Sequence, residues 1–361
     1  MFIDADTHVD ECEDTWSYFP KSREELRPGT MTFLEGSAPS YLRPGYHRAW
    51  FIDGQLFQRQ VRSDERTGTT VEARELHDVR SRVKDMDELG VSHHVIYPTL
   101  FLNELTRRPE LEIALCESYN RWLADRCSES DGRLQWVAVA PLSSIPDALA
   151  EIRRARDAGA CGIFKRGIEC GDRNVADPYF APVYELAQGL DLPICLHSAR
   201  PYRIVTDLMT RLQTGLESGL YVQDAFSRVL KSRLPERYPT LRIGFIEAGA
   251  GWLAHVLWSA RADQSKDVAL GAGSERAKER NREVLAEGRL FVTCEVSEDL
   301  PQIISEVGDA SLIVGSDYGH PDRASVWGAH TRIVERPDIP ATASDRLTRV
   351  NAAAFYGLAT D

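Results

Sequence analysis

The sequence predicts an α/β fold, a closed (β/α)8 or TIM barrel with long lid insertions after strands 1 and 5. Three observations predict it. Eight short apolar runs rich in Val, Ile, Leu and Phe recur along 361 residues. Most of them lack polar alternation, as strands covered on both faces do. Amphipathic stretches of helical period separate them, and strand–helix alternation repeated eight times marks a closed barrel. A doubly wound open sheet is the runner-up, but it needs a switch point in strand order that the sequence does not show. A chain of this length can bury one large core, so residues 1–361 are expected to form a single barrel domain.

The strands are expected at Phe2–Asp6, Val91–Pro98, Leu134–Ala140, Gly162–Lys165, Pro193–His197, Arg242–Ala248, Leu290–Cys294 and Ser311–Ser316. After the second, Leu111–Cys127 sets Leu111, Leu115, Tyr119, Trp122 and Leu123 at helical spacing. Pro146–Ala158 opens on a helix-compatible proline and closes near Gly159. Pro178–Gly189 has the same grammar, with Asp177 as N-cap. Further helices are expected at Trp252–Asp263, Glu275–Ala286, Leu300–Val307 and Ser344–Tyr356. Segments 12–79 and 198–234 exceed ordinary connection lengths. Both leave from strand C-termini, the catalytic face of a barrel, where long excursions serve as lids and specificity loops.

Hydrophobic residues make up 43% and charged residues 27%, ordinary values for a globular protein. The apolar runs are strand-sized, so no membrane span is expected. The N-terminus enters a strand at once and turns acidic, which argues against a secretory leader. The net charge is −12 and the pI about 5.3. With no basic patch, nucleic acid and anionic membranes are poor partners. An anionic substrate would need local Arg or Lys. Seven cysteines, at 12, 116, 127, 161, 170, 195 and 294, form no CxxC pair. They fit the reduced, buried cysteines of a cytoplasmic protein.

Three of the strand ends carry ionisable groups. In the opening MFIDADTHVDE, alternation places Asp4, Asp6 and His8 on one face, with Asp6 and His8 about 6.5 Å apart along the strand. His197 ends the fifth strand and Asp317 follows the eighth. The C-terminal strand ends of a barrel converge on one mouth. Two imidazoles and two carboxylates suit one divalent metal, zinc first and manganese as the alternative, with a position left for water or substrate. Such a metal polarises an oxygen and brings the pKa of a bound water to about 7. Alone, a strand-end histidine is an ordinary hydrogen-bonded residue and an aspartate there an ordinary turn residue. Three such groups in one barrel are harder to attribute to packing, because unpaired burial is costly.

Several segments also carry a resemblance. They are Ile3-Asp4-Ala5-Asp6-Thr7-His8, Asp85-Met86-Asp87-Glu88-Leu89-Gly90-Val91, Tyr97-Pro98-Thr99 and Tyr119-Asn120-Arg121-Trp122. Pro193–His197, Phe245-Ile246-Glu247-Ala248-Gly249-Ala250-Gly251-Trp252, Gly315-Ser316-Asp317-Tyr318 and Asn351–Leu358 continue the series. Together they resemble the decarboxylase-like branch of the amidohydrolase superfamily, which includes aminocarboxymuconate-semialdehyde and γ-resorcylate decarboxylases. The resemblance implies a barrel with one divalent metal, and relatives that are often homodimers. The family opens on His-x-His or Glu-x-His, where this chain has Asp6-x-His8. His197 matches the strand-five ligand. Asp317 matches the strand-eight aspartate, which binds metal and serves as proton donor or base. At strand six, characterised decarboxylases usually carry a catalytic histidine; this chain has Glu247. A carboxylate can move protons but supplies no imidazolium charge.

Lys165 ends strand four. It is expected to face substrate as a cation, with a salt-bridged structural lysine as the alternative. In binuclear relatives of the wider superfamily, a lysine there is carboxylated. Arg200 is placed to clamp a substrate carboxylate, since a guanidinium fork suits one; a surface arginine is the alternative. His320 stands close behind Asp317. His93 and His94 lie at the wrong end of strand two, and His77, His255, His330 and the lid residue His47 have no positional claim to the site. Gly249-Ala250-Gly251-Trp252-Leu253-Ala254 fits the dinucleotide pattern G-x-G-x-x-A in outline, but no acidic residue follows at the expected spacing.

The expected activity is non-oxidative decarboxylation of a small carboxylate-bearing cyclic or unsaturated compound. Asp317 would protonate the carbon that loses CO2, while the metal and Arg200 hold the acid. Hydrolysis, with Asp317 or Glu247 taking a proton from water, is the alternative. A ligand- or metal-binding barrel without turnover is the alternative of another class.

Overall fold

The computed structural model describes residues 1–34, 48–59, 64–200, 219–262, 275–321 and 325–359. Residues 35–47, 60–63 and 201–218, which hold parts of both expected lids and His47, lie outside the described residues. Eight strands form one sheet: β1 (Phe2–His8), β2 (Val91–Tyr97), β3 (Leu134–Val139), β4 (Gly162–Lys165), β5 (Ile194–His197), β6 (Ile243–Ile246), β7 (Leu290–Cys294) and β8 (Leu312–Val314). Each pairs in parallel with its sequence neighbours. The ring closes just past the last strand: Asp317 N donates to Asp6 O at 3.0 Å and His8 N to Tyr318 O at 2.9 Å. The expected (β/α)8 barrel is the observed one.

The helices follow the expected grammar. Asp78 caps α1 (Val79–Leu89), its side chain accepting from Arg80 N, and Gly90 ends it in the left-handed region at φ 68°. Pro109 opens α2 (Pro109–Ser128), and α3 (Ile145–Asp157) has its proline in the first turn. Asp177 accepts from Tyr179 N at 2.8 Å and starts the 3-10 turn that leads into α4 (Ala181–Gly189). Beyond β5, α5 (Leu220–Lys231) buries Tyr221, Val222, Ala225, Phe226 and Val229, an i, i+3, i+4 pattern inside the stretch expected to be lid. Then come α6 (Leu253–Ala262), α7 (Glu275–Glu287) and α8 (Leu300–Val307). The expected C-terminal helix is interrupted by a π-helical turn, Arg346–Val350, before α9 (Asn351–Tyr356). There Thr348 Oγ1 donates back to Ser344 O at 2.7 Å, a side-chain bond of the kind that bends helices.

The excursion after β1 contains a three-stranded antiparallel sheet of Gly29–Thr32, Arg48–Ile52 and Gln55–Gln58. Asp53-Gly54, with φ 49° and 74°, makes its second turn. Asp-Gly between short apolar runs is a hairpin signal, and the sequence reading passed over it. Its buried Trp50 meets Trp16 edge-to-face at 5.8 Å.

One expectation about β1 is corrected. Asp4 does not share a face with Asp6 and His8. Its carboxylate accepts from Ser316 N at 2.8 Å and Ser316 Oγ at 2.5 Å, in the layer where His94 Nε2 lies 3.8 Å away. The cause is a register shift: Asp4 opposes His94 but Thr7 opposes Ile96, so three steps on β1 match two on β2. Such a bulge reverses parity, which strict alternation cannot foresee.

At the N-terminal ends of the strands, α9 closes the floor. Gly244 is obligatory there, since a Cβ would sit 2.2 Å from the Phe355 ring. Tyr97 and Tyr356 share a 2.6 Å hydroxyl contact inside the barrel, and Tyr356 donates to Ala5 O at 2.7 Å. Among the described residues, no helix is long and apolar enough to cross a membrane.

Candidate metal centre

β1 delivers two side chains to the mouth. His8 Nδ1 donates to Pro98 O at 3.0 Å. A carbonyl only accepts, so this bond fixes the tautomer and leaves the Nε2 lone pair facing inward. His197, at the end of β5, repeats the device with Ser198 O at 2.7 Å. The two Nε2 atoms face a ring of carboxylates. His8 Nε2 lies 3.5 Å from Asp6 Oδ1, 3.9 Å from Glu247 Oε2 and 3.5 Å from Asp317 Oδ1. His197 Nε2 lies 3.3 Å from Asp6 Oδ1 and 3.4 Å from Glu247 Oε2.

The backbone is bent to allow this. Glu247 and Asp317 both have left-handed φ, 56° and 52°, a conformation rare for residues with a Cβ. Strain of this kind costs about 1–3 kcal/mol each and persists where the surroundings enforce it. Thr293 Oγ1 accepts from Glu247 N at 2.7 Å and holds that turn. Gly315 lets β8 close on β1, because a Cβ there would sit 2.3 Å from Asp6 Cβ. Behind β1 the buried Arg82 donates to His8 O at 2.7 Å and Thr7 Oγ1 at 2.9 Å.

Burial by itself would push the Asp6 carboxyl up. The charge of His197, then the hydrogen bonds and charge of both imidazoles, hold it well below the usual range instead. Burial likewise works against charge on His197, but Asp6 first and Glu247 next raise its imidazole to about 9. Without metal, the centre therefore stores a proton on His197.

Among the described residues, two sets of four donors close within 4.8 Å: Asp6, His8, His197 and Glu247, and His8, Glu247, Asp317 and His320. Both use His8. Its one inward lone pair serves a single ion, so the sets describe one centre rather than two. The first set fits a small divalent ion. Bonds of about 2.0–2.1 Å in a tetrahedron put donors about 3.3–3.4 Å apart, and most of the distances above lie close to that.

Asp317 stands at the edge of this set, joined to His320. His320 Nδ1 lies 2.7 Å from Asp317 Oδ1, and its ring stacks on His8 at 3.8 Å. On the far side, His320 Nε2 lies 3.1 Å from Thr99 Oγ1, whose own proton goes to Val9 O at 2.7 Å. Thr99 can therefore only accept, so His320 Nε2 must donate to it. Sequence reasoning placed His320 behind Asp317; the Thr99 contact that sets its protonation was not legible.

Lys165 does not join the cluster, contrary to the expected substrate-facing cation. Its neighbour Phe164 faces inward, 6.2 Å from the His197 ring, so Lys165 faces the helix layer. There its buried ammonium pairs with Glu169 and lies 3.5 Å from the Phe180 ring centroid. Arg200 is exposed at the rim, where its backbone N donates to Leu102 O at 2.8 Å. The glycine pattern after β6 has a different occupant from a nucleotide. Ala250 N and Gly251 N donate to the Glu298 carboxylate, each at 2.8 Å, and Glu295 N donates to it as well. That carboxylate fills the amide nest where a pyrophosphate would sit.

The family model described as amidohydrolase matches residues 3–358. No curated protein matches the sequence. Among solved structures, an amidohydrolase from Mycobacterium avium subsp. paratuberculosis K-10 is similar at TM-score 0.76 and 16% identity, over 99% of this chain and 98% of that one. A 5-carboxyvanillate decarboxylase from Novosphingobium aromaticivorans DSM 12444, complexed with manganese and 4-hydroxy-3-methoxy-5-nitrobenzoic acid, is similar at TM-score 0.69 and 18% identity, over 99% and 96%. A 2,6-dihydroxybenzoate decarboxylase from Rhizobium is similar at TM-score 0.63 and 18% identity, over 99% of each chain.

Proposed function

The chain belongs to the amidohydrolase family, and we propose that it is a metal-dependent decarboxylase of a small carboxylate-bearing cyclic or unsaturated compound. The observation that carries this reading is the Asp317–His320 pair, 2.7 Å apart, beside a four-donor centre. Decarboxylation breaks a C–C bond and must return a proton to carbon. The similarity to two decarboxylases, one crystallised with manganese and an aromatic acid, supports the same reading.

Asp6, His8, His197 and Glu247 would hold the ion, with Asp317 at its edge. Bound there, a divalent cation supplies a Lewis acid that polarises a substrate oxygen. The donor spacing supports zinc, and the neighbour's manganese keeps that metal as the alternative. Asp317 delivers the proton to the carbon that loses CO2, and His320 reloads it across the 2.7 Å contact. Arg200, at the rim, is the candidate clamp for the substrate carboxylate. Segments 12–79 and 198–234 are the candidate lids over the same mouth.

Glu247 favours a second reading. Its side chain is 13% exposed, more open than those of the other donors. It stands where a base could take a proton from an attacking water, which is hydrolysis of a C–N, C–O or C–C bond. A reducing cytoplasm is supported by the seven free cysteines. A homodimer rests on the family resemblance.

The test is substrate profiling of metal-loaded enzyme with hydroxylated benzoates and small unsaturated acids, following CO2 release. Asp317→Asn is expected to lower turnover by about 10²-fold or more, the upper range of general acid catalysis being about 10⁴, while the ion at the mouth remains bound. Absence of CO2 release from every acid, with hydrolysis of an ester or amide instead, would replace the first reading by the second.

A further inference from the structure

We propose that Cys12, Asp14 and His77 form a second cation site, outside the barrel mouth, for one zinc-class ion bound through sulfur, carboxylate oxygen and imidazole nitrogen. It shares no residue with the centre above. The three donor atoms lie within 4.8 Å of one another. Cys12 is buried and supplies the inner wall, while Asp14 and His77 are exposed and leave a path for an ion from solvent. Thiolate, imidazole and carboxylate together are the donor set that selects zinc over harder cations such as magnesium or calcium.

The orientation of His77 points the same way. Its Nε2 lies 2.9 Å from Glu75 Oε2, and its Nδ1 lies 3.4 Å from Asp14 Oδ2. Glu75 is itself anchored: Arg59 Nη2 donates to Glu75 Oε1 at 3.2 Å and Arg59 Nη1 to Glu13 Oε1 at 2.6 Å. An Nε2–H bond to an anchored carboxylate leaves the Nδ1 lone pair aimed at Asp14 and Cys12. Ligating histidines are oriented in this way in metal sites. The 3.4 Å between that nitrogen and Asp14 Oδ2 matches the donor separation of about 3.3–3.4 Å in a tetrahedral zinc site. As the sulfur–metal bond forms, the Cys12 S–H proton leaves to solvent.

The site would act as a staple. Cys12 follows Glu11, whose carboxylate accepts from Thr99 N at 3.0 Å and Leu100 N at 2.8 Å. Thr99 in turn meets His320 at the mouth. An ion tying Cys12 to His77 would fix the segment that carries these contacts.

The experiment titrates cobalt(II) into the metal-free, full-length protein. Two equivalents are expected, one of them bringing a thiolate-to-cobalt charge-transfer band in the near ultraviolet. The barrel-mouth donors contain no sulfur, so that centre cannot produce the band. Cys12→Ser is expected to lose the band and one equivalent and to keep the other. Because Cys12 is buried, the exposed His77→Gln is the second variant, with cobalt affinity at the sulfur site lowered at least tenfold. A single equivalent without the band, or a band unchanged in His77→Gln, would overturn the proposal. Either result leaves the sulfur-free equivalent at the mouth as a separate reading.

Discussion

In the metal-free protein, His197 is the residue through which pH acts most directly. Burial works against its charge, but Asp6 and Glu247 raise its imidazole to about 9, against an ordinary value of about 6.5. Folded protein therefore binds a proton between those limits that unfolded protein has released. The associated stability is present below about pH 6.5 and is lost as pH rises through about 9. A shift of this size corresponds to roughly 3–4 kcal/mol as an upper bound, at about 1.4 kcal/mol per unit. Urea unfolding of metal-free protein should show stability falling between pH 6.5 and 9.5, and His197→Gln should reduce that slope, the part below about 8 that remains coming from Glu11, whose carboxyl burial raises to about 8. Rising stability over the same range would contradict the protonated His197. Metal must displace this proton, so metal uptake below pH 9 should weaken on acidification. That Asp6, His8, His197 and Asp317 gather at the mouth was legible for a simple reason: strand ends are marked by where apolar runs stop. What those ends do was less legible. Glu247 reaches the donor set only through a left-handed turn, and Asp317 turns toward His320, neither of which residue type predicts.

At the scale of elements, the closure of β8 on β1 builds the mouth. Gly315 lies against Asp6 with no room for a Cβ, which would meet Asp6 Cβ at 2.3 Å. Its φ is not left-handed, so the requirement is space rather than backbone freedom. Gly315→Ala is expected to push β8 outward, separate Asp317 from His8, and cost about 1–3 kcal/mol as an overpacked core does. Denaturant unfolding measures the cost, and metal stoichiometry reports the centre. Unchanged stability together with full metal occupancy would show that the strand pair can give way. The failures of sequence reading also belong to this scale. The bulge in β1 turned Asp4 outward, and inward-facing Phe164 turned Lys165 toward Glu169. Apolar runs without alternation mark a strand but not its parity, so a strand-end residue can face either the mouth or the helices. Helix α5 is legible in Tyr221, Val222, Ala225, Phe226 and Val229, inside the long segment that follows β5.

For the whole molecule, the centre is a long-range tie. Its first donor set joins residues 6 and 8 to residues 197 and 247, and Asp317 adds the last strand. The ring itself closes between β1 and β8 through the two backbone bonds at Asp6 and Tyr318, on either side of those side chains. An ion bound there holds the barrel at the seam where it closes. Binding to the folded state alone stabilises by about 2.7 kcal/mol at a free-ion concentration of 100 times Kd. In a chain of this size, each kcal/mol moves Tm by about 2 °C. Zinc or manganese at that excess should therefore raise Tm on the order of 5 °C above the chelator-treated protein. The shift should persist in His77→Gln, which lacks the second donor set, and vanish when His8→Gln is added to that variant, removing the imidazole shared by both arrangements at the mouth. Scanning calorimetry of the three proteins with and without metal decides it. An equal rise in the His77→Gln/His8→Gln double variant would mean that the stabilising ion binds somewhere other than the closing seam.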